Sequence, residues 1–346
     1  MVDELAENKI SENKMKPIRI AVIGLGSMGK NHVRVLNEIE EADLVAVSDV
    51  DKGQLDKICA MYKVKGYGDY NQMFLREELD AVVIAVPTSY HKKVALDALK
   101  KGVHIFVEKP IASSIEDAKE IIEMAKKKKK LLMIGHIERF NPAVQELKKR
   151  IKNGELGNIY KFEVSRLSPF PTRMSDVGVV VDLAVHDLDI LSYINESKIA
   201  NVYAETEKRI HSTHEDMLCA ILRYKNGVIG MLTVDWLSPL FKRKLSITGE
   251  KGMFVVNYRM QSIYFYTNEA IHNIEYPSIV HSVAVGDVIK INVEKQEPLK
   301  LELKSFVESV QKGEKPLVSG EDGLLALETA LKLIESAKKK KAIEFK

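Results

Sequence analysis

A strand that runs directly into a glycine-rich turn and then into a helix leaves a chain few folds to choose from. Residues 18–29 read Ile-Arg-Ile-Ala-Val-Ile-Gly-Leu-Gly-Ser-Met-Gly. This is an apolar, β-branched run, then three glycines spaced G-x-G-x-x-G, then a helical stretch to about residue 39. In such a turn Gly24 permits the tight reversal, Gly26 lets the backbone approach a ligand, and Gly29 lets the helix pack closely on the sheet. The helix N-terminus that follows offers unpaired N–H groups to a pyrophosphate. Glycine turns are common, so the motif alone is weak. Here an acid, Asp49, also closes the second strand twenty residues past Gly29, where a carboxylate can accept both ribose hydroxyls. Strand, turn, helix and acid together predict a dinucleotide site. NAD is favoured over NADP, because Asp49 repels a 2′-phosphate and neither Val50 nor Asp51 supplies a guanidinium. Lys52 lies near enough to leave dual use open.

The rest of the first 135 residues keeps the same rhythm. Strands are predicted at 18–24, 44–49, 81–86, 103–107 and 131–135, with a short one near Val64. Helices are predicted at 28–39, 53–62, 90–101 and 115–129. Near-continuous apolar strands alternating with amphipathic helices indicate a parallel sheet covered on both faces, a Rossmann domain. Beyond about residue 140 a helix at 142–152 leads into strands at 158–166, 200–207, 216–224, 228–235, 243–249, 252–258 and 262–267. A helix at 179–194 interrupts them, and helices at 301–311 and 321–340 follow. Consecutive strands with few helices imply an α+β domain with a large, mainly antiparallel open sheet. The expected division is a flexible leader at 1–17, a dinucleotide domain at 18–137 and a substrate-binding and oligomerising domain at 138–346. Too few helices follow the strands to cover both faces of that sheet, so a homo-dimer or homo-tetramer is expected through its open face.

Composition excludes several partners. A formal charge of +3 over 346 residues gives no reason to expect nucleic acid. The lysine runs 126–130 and 338–341 close helical segments, where cations meet the negative end of the helix dipole. The two cysteines, Cys59 and Cys219, form neither a disulfide framework nor a metal motif. No apolar run is long enough to span a bilayer, and the polar first 17 residues carry no signal-peptide core, so a cytoplasmic location is expected.

Two segments carry candidate chemistry. Pro87-Thr88-Ser-Tyr-His91 and Glu108-Lys109-Pro110 each begin at the C-terminal end of a strand, where open α/β sheets bind ligands. A lysine there can polarise a substrate oxygen; the plain alternative is a surface lysine after a strand. In the segment 176–189 Asp182 and His186 are four apart, so on a helix they share a face and the carboxylate can orient the imidazole. Asp189 lies three residues further on, near the same face. A structural acid–histidine pair and a metal site remain alternatives, although nothing nearby completes a ligand set and no metal is expected.

GLGSMG, VPTSYH, VEKP and DLAVHDLD, in this order, resemble the glucose–fructose oxidoreductase/inositol dehydrogenase/MocA family over about residues 17–340. The resemblance implies that Lys109 lies close to the nicotinamide and the reacting hydroxyl. It also implies that His186 transfers the proton with Asp182 as its partner. The cofactor contacts expected on this reading are Gly24, Gly26, Ser27, Met28, Gly29, Asp49, Pro87, Thr88, His91, Glu108 and Lys109. The stretches 135–144 and 166–178 are similar to a narrower branch, the UDP-N-acetylglucosamine 3-dehydrogenases, which act ahead of an aminotransferase. That similarity implies a nucleotide-sugar substrate. From the residues themselves, Arg166 and Arg173 bracket a proline-containing loop and suit a diphosphate clamp, or are ordinary surface arginines. Arg139 and Asn141 are further substrate candidates, beside Lys109, Asp182 and His186. Another sugar or inositol dehydrogenase of the family, or a non-catalytic NAD-binding regulator, remains an alternative; retention of Lys109 and His186 argues against the regulator.

Overall fold

The computed structural model describes residues 16–171, 177–268 and 286–345. Most of the expected leader, and Arg173 of the expected clamp, lie outside the described residues. The chain forms two compact units that are not contiguous in sequence. One comprises the chain up to Glu108 with Lys119–Met133 and Leu299–Ser319; the other comprises Lys109–Ala118, Ile134–Pro298 and the chain from Gly320 onward.

The sheet of the first unit alternates with helices as β1 (Ile18–Ile23), α1 (Ser27–Leu36), β2 (Ala42–Ser48), α2 (Lys52–Tyr62), β3 (Lys65–Tyr67), α3 (Tyr70–Arg76), β4 (Ala81–Ile84), α4 (Thr88–Lys101), β5 (His104–Glu108), α5 (Ile115–Lys128) and β6 (Leu132–Gly135), the start of α5 and the end of β6 being assigned to the second unit. Its strands lie in the order β3-β2-β1-β4-β5-β6. This is the doubly wound arrangement in which ligands bind beyond the carboxyl ends of the central strands. β1 and β4 are central, so both faces of each are covered, and this is why β4 reads as an unbroken apolar run and β1 as one broken only by Arg19. The helix α3 was not expected; at 7 residues it is too short for a helical period to stand out.

The helix α8 (Pro298–Lys312) belongs to this unit, although it follows all the strands of the second. Its fully buried Phe306 meets Phe106 of β5 edge-on, with ring centroids 5.6 Å apart. Lys300 reaches Glu38 at 3.2 Å. The boundary expected at residue 137 therefore does not describe the folded units. The pattern of α8 shows an apolar face, but a pattern does not say against which sheet that face is buried.

The second unit opens with a 3₁₀ turn (Ile137–Phe140) and α6 (Pro142–Lys152). Then come β7 (Ile159–Leu167), a π-helical turn (Val180–Ala184) and α7 (Val185–Asn195). The strands β8 (Ile199–Glu207), β9 (Met217–Tyr224), β10 (Ile229–Asp235), β11 (Lys242–Gly249), β12 (Gly252–Asn257), β13 (Ser262–Thr267) and β14 (Val288–Ile291) follow. The helix α9 (Gly320–Lys339) and β15 (Ile343–Glu344) complete it. Nine strands form one sheet in the order β14-β13-β12-β11-β7-β10-β9-β8-β15. All its described pairings are antiparallel except β7 with β10.

Alternation along the strands divides the sheet into two faces. Phe162, Val164 and Arg166 of β7 point to the buried side, as do Leu218, Ala220 and Leu222 of β9. The other face carries exposed apolar groups, Tyr203 and Ile221 among them. On the buried side, α9 is tied to β8 by Ala204 N–H donating to Ser336 Oγ at 3.1 Å. The edge strands β14 and β15 went unread because β14 is mostly exposed and β15 has only 2 residues, so neither carries an alternating pattern. No helix among the described residues is long and apolar enough to cross a membrane.

Candidate active site

The glycine turn sits where β1 hands over to α1. Gly24 has φ +91°, a left-handed backbone that L side chains rarely adopt, and a Cβ there would lie 2.6 Å from the carbonyl oxygen of Ala85. At Gly29 an added Cβ would fall 1.9 Å from the carbonyl of Gly24, so this glycine allows the helix to lie against the turn. Gly26 differs from both: a Cβ there would meet nothing within 4 Å. The space beside it faces the start of α1, which has no side-chain cap and no acidic residue in its first turn. An open backbone cradle at an uncapped helix N-terminus fits a pyrophosphate. The carboxylate of Asp49, just past β2, accepts the N–H of Leu25 at 2.5 Å and that of Asp51 at 2.8 Å. It is thereby fixed at the edge of the same turn. These residues fit NAD, with Ser27 and Met28 opening α1 beside the cradle.

Two of the residues expected to touch the cofactor, His91 and Glu108, also brace the fold. His91 is 1% exposed, and its Nε2 lies 2.9 Å from the carbonyl oxygen of Val86, so its ring holds the β4–α4 turn from within. Pro87 caps α4 and Thr88 begins it. Glu108 is buried, with its carboxylate 2.6 Å from His32 Nε2, tying α1 to the end of β5. His32 was not singled out from the sequence, since a lone histidine in an apolar helix carries no pattern of its own.

In the second unit the next residue, Lys109, donates from Nζ to Asp182 Oδ1 at 2.7 Å and to the Asp182 carbonyl at 2.8 Å. The expected Asp182–His186 hydrogen bond is not formed. A uniform α-helix was assumed through this segment, and the π-helical turn at Val180–Ala184 changes the angular step there. The carboxylate goes instead to the ammonium, a charge-assisted and therefore stronger partner. Nδ1 of His186 is buried without a partner among the described residues. Burial, then the positive charges of Lys109 and Arg166, hold its pKa well below the ordinary 6.5. The imidazole is therefore neutral at neutral pH. His136, a residue the sequence reading passed over, adds a second such ring: it is 1% exposed and neither nitrogen has a described partner.

Three substrate candidates prove structural. Arg166 is 1% exposed; its Nε donates to Asp187 Oδ2 at 2.5 Å, its Nη2 to Oδ1 at 3.1 Å, and both Nη groups reach Glu138 at 3.3 Å. Burial alone would lower its pKa, but Asp187 and Glu138 reverse that and raise it. A guanidinium so committed cannot clamp a diphosphate. Arg139 is likewise buried, donating to both oxygens of Asp189 at 2.8 and 2.6 Å, with Asp322 at 3.0 Å. Asn141 caps α6 by accepting from Ala143 N–H at 3.1 Å and donates to the Tyr258 carbonyl at 2.9 Å, so both ends of its amide are used. From sequence these looked available because a polar residue near a motif does not disclose its partner tens of residues away.

Residues 18–136 match the description "Oxidoreductase family, NAD-binding Rossmann fold", and residues 144–255 match "GFO/IDH/MocA C-terminal domain". The chain belongs to the GFO/IDH/MocA oxidoreductase family. It is 27% identical over 340 residues to a myo-inositol 2-dehydrogenase of Thermotoga maritima, covering 94% of this chain and 98% of that one. It is also 27% identical over 316 residues to a UDP-N-acetylglucosamine 3-dehydrogenase of Acidithiobacillus ferrooxidans, covering 91% and 96%. A solved structure of the latter enzyme, GnnA, superposes with a TM-score of 0.84 at 26% identity, covering 94% of this chain and 99% of that one. The chain is thus an NAD-binding dehydrogenase by family.

The glycines separate cofactor binding from stability. Gly29→Ala is expected to lower the melting temperature, because its Cβ must displace backbone. Gly26→Ala is expected to leave the melting temperature unchanged while weakening NAD at least about tenfold, the sensitivity of a backbone–pyrophosphate approach. Calorimetric titration checks this, and unaltered NAD affinity in Gly26→Ala would remove the turn from the cofactor site.

A second expectation concerns pH. His104, His136 and His186 all have pKa values below 6.5, burial being the first cause in each case. The unfolded chain therefore takes up these protons first as pH falls. Their contribution is complete above about pH 6.5 and is lost as pH drops toward the folded values. Melting temperature should fall between about pH 7 and pH 5, with a shallower slope in His136→Leu. An equal slope in that variant would show that His136 does not titrate as described.

Proposed function

We propose that the protein catalyses NAD-dependent oxidation of a secondary hydroxyl of a nucleotide sugar: the C3 hydroxyl of UDP-N-acetylglucosamine, giving the 3-keto sugar for an aminotransferase. The observation that carries the chemistry is a lysine ammonium held by Asp182, in the same unit as a neutral, half-buried histidine. The substrate rests on similarity to the Acidithiobacillus ferrooxidans enzyme along nearly the whole chain.

NAD, when bound at the glycine turn, accepts the hydride from the oxidised carbon. The protein's own part is the proton. His186, neutral and without a partner on Nδ1, takes the hydroxyl proton. Lys109, fixed by two oxygens of Asp182, donates to the substrate oxygen as negative charge develops on it. Asp182 is then a positioning residue for Lys109 rather than for His186.

A second reading, oxidation of a free inositol, is favoured by one observation. The burial of Arg166 removes one arm of the expected diphosphate clamp, and a neutral polyol needs none. The Thermotoga maritima relative is of that kind.

Incubation with NAD and UDP-N-acetylglucosamine, free N-acetylglucosamine or myo-inositol, followed by NADH absorbance, separates the readings. Turnover is expected with the UDP-sugar and to be very poor with the free sugar. Turnover of myo-inositol alone would establish the second reading. Lys109→Ala and His186→Ala should each lower kcat about 10²–10⁴-fold, the range for general acid–base help, with NAD affinity nearly intact. Near wild-type rates in both would dismiss the assignment.

The open face of the nine-stranded sheet, with Tyr203 and Ile221 exposed, is the surface proposed to join copies into a dimer or tetramer. Light scattering at micromolar concentration is expected to give a multiple of 39.0 kDa. Ile221→Asp should shift it toward the monomer; a wild-type monomer would refute the proposal.

A further inference from the structure

With Arg166 spent internally, the second unit still contains an arginine that is not. Arg243 on β11 stands directly opposite Arg166 on β7 in the antiparallel register. Inward positions on this pair of strands carry Leu245 against Val164 and Ile247 against Phe162, all buried, so both arginines lie on the inner face. Directly opposed like charges on one face destabilise a sheet. Arg166 is relieved by two carboxylates, and those carboxylates are full. Both oxygens of Asp187 accept from Arg166; Glu138 gives one oxygen to Arg166 and the other to Asn141 at 3.2 Å. Arg243 makes no ion pair or side-chain hydrogen bond with any described residue. It is half-buried, and burial followed by the charge of Arg166 lowers its pKa.

Two further facts place it by the catalytic residues. Asp187, which follows His186 in the chain, grips the arginine whose neighbour on the inner face is Arg243. The charge of Arg243 is also felt at His186. Beside it, Tyr258 donates its backbone N–H to the Arg243 carbonyl at 3.1 Å, while its own hydroxyl is buried with no described partner. Among the described residues, a guanidinium and a hydroxyl without partners, on residues joined by a backbone hydrogen bond, are a donor set without an acceptor.

We propose that Arg243, with the Tyr258 hydroxyl, forms a subsite for an oxyanion carried by the substrate, a phosphoryl or carboxylate group attached to the sugar being oxidised. This deepens the nucleotide-sugar reading above and rests on it for the identity of the sugar. A guanidinium binds either anion through paired N–H donors, which a lysine cannot reproduce.

The test is calorimetric titration of the full chain, saturated with NAD so that the dinucleotide's own phosphate site is filled. The probes are inorganic pyrophosphate and D-glucuronate. Wild type is expected to bind at least one of them, and the one bound more tightly names the group as phosphoryl or carboxylate. Arg243→Gln should weaken that binding about ten- to hundredfold, the loss of a charge-assisted hydrogen-bonded pair. Tyr258→Phe should weaken it about threefold or more, the loss of one neutral hydrogen bond. The exposed Arg223→Gln should leave it unchanged, as should all three variants the affinity for NAD. If Arg243→Gln does not fold, Arg243→Lys and Tyr258→Phe decide, each with an intermediate loss expected. Wild type binding neither anion, or binding unchanged in the Arg243 and Tyr258 variants, overturns the subsite. Absence of UDP-N-acetylglucosamine turnover, with anion binding still lost in Arg243→Gln, would overturn the substrate reading and leave the subsite standing.

Discussion

A charge removed from water must be met by an opposite charge held in good geometry, and in the second unit the buried Arg166 sets that condition. Its two-point contact with Asp187 joins β7 to α7, and Glu138 brings in the 3₁₀ turn that precedes α6. Removing one partner from such a pair leaves an uncompensated buried charge, at a cost of about 3–5 kcal/mol. The helix carrying His186 is therefore pinned to the sheet one residue away from the imidazole. Arg139 and Asp189 repeat the device three residues after His186, at 2.6 Å. Between them the two ion pairs settle the rotation of α7, and with it the direction of the histidine.

The same charges govern the histidine's chemistry. A half-buried imidazole among Lys109, Arg166 and Arg243 is disfavoured as a cation by lost solvation and by field alike. Its neighbour His136 is under similar pressure, although Asp189 and Asp322 oppose it. Neutral rings beside a fixed ammonium divide the work that oxidation of an alcohol requires. One group is free to take a proton, and the other keeps its charge for the oxygen. Asp182 serves this division by holding Lys109.

Much of this was readable along the chain. The alternation of apolar strands and amphipathic helices in residues 18–135 specifies a doubly wound sheet, because burial on both faces leaves β4 wholly apolar and β1 with Arg19 as its one polar position. The roles of Gly24, Gly26 and Gly29 follow from backbone sterics, which act within a few residues. The second sheet was legible from its alternation, down to strand limits that differ by a residue or two, but its edges were not. Long-range partners were not legible either. Arg139, Asn141 and Arg166 read as free polar groups near a motif, and each is consumed by a residue that spacing cannot locate.

The sequence by itself determined the fold class, the dinucleotide turn and the candidate pair Lys109 and His186, because those depend on local geometry and on periods of two and 3.6 residues. Tertiary structure decided which charges are spent and which remain. It turned Asp182 toward Lys109 through a π-helical turn, buried the arginines expected to hold phosphate, and drew α8 back to the first unit. It also left Arg243 without an ion pair among the described residues. Electrostatic pairing is a matter of distance in three dimensions, and neither hydropathy nor spacing along the chain records which carboxylate a guanidinium will meet.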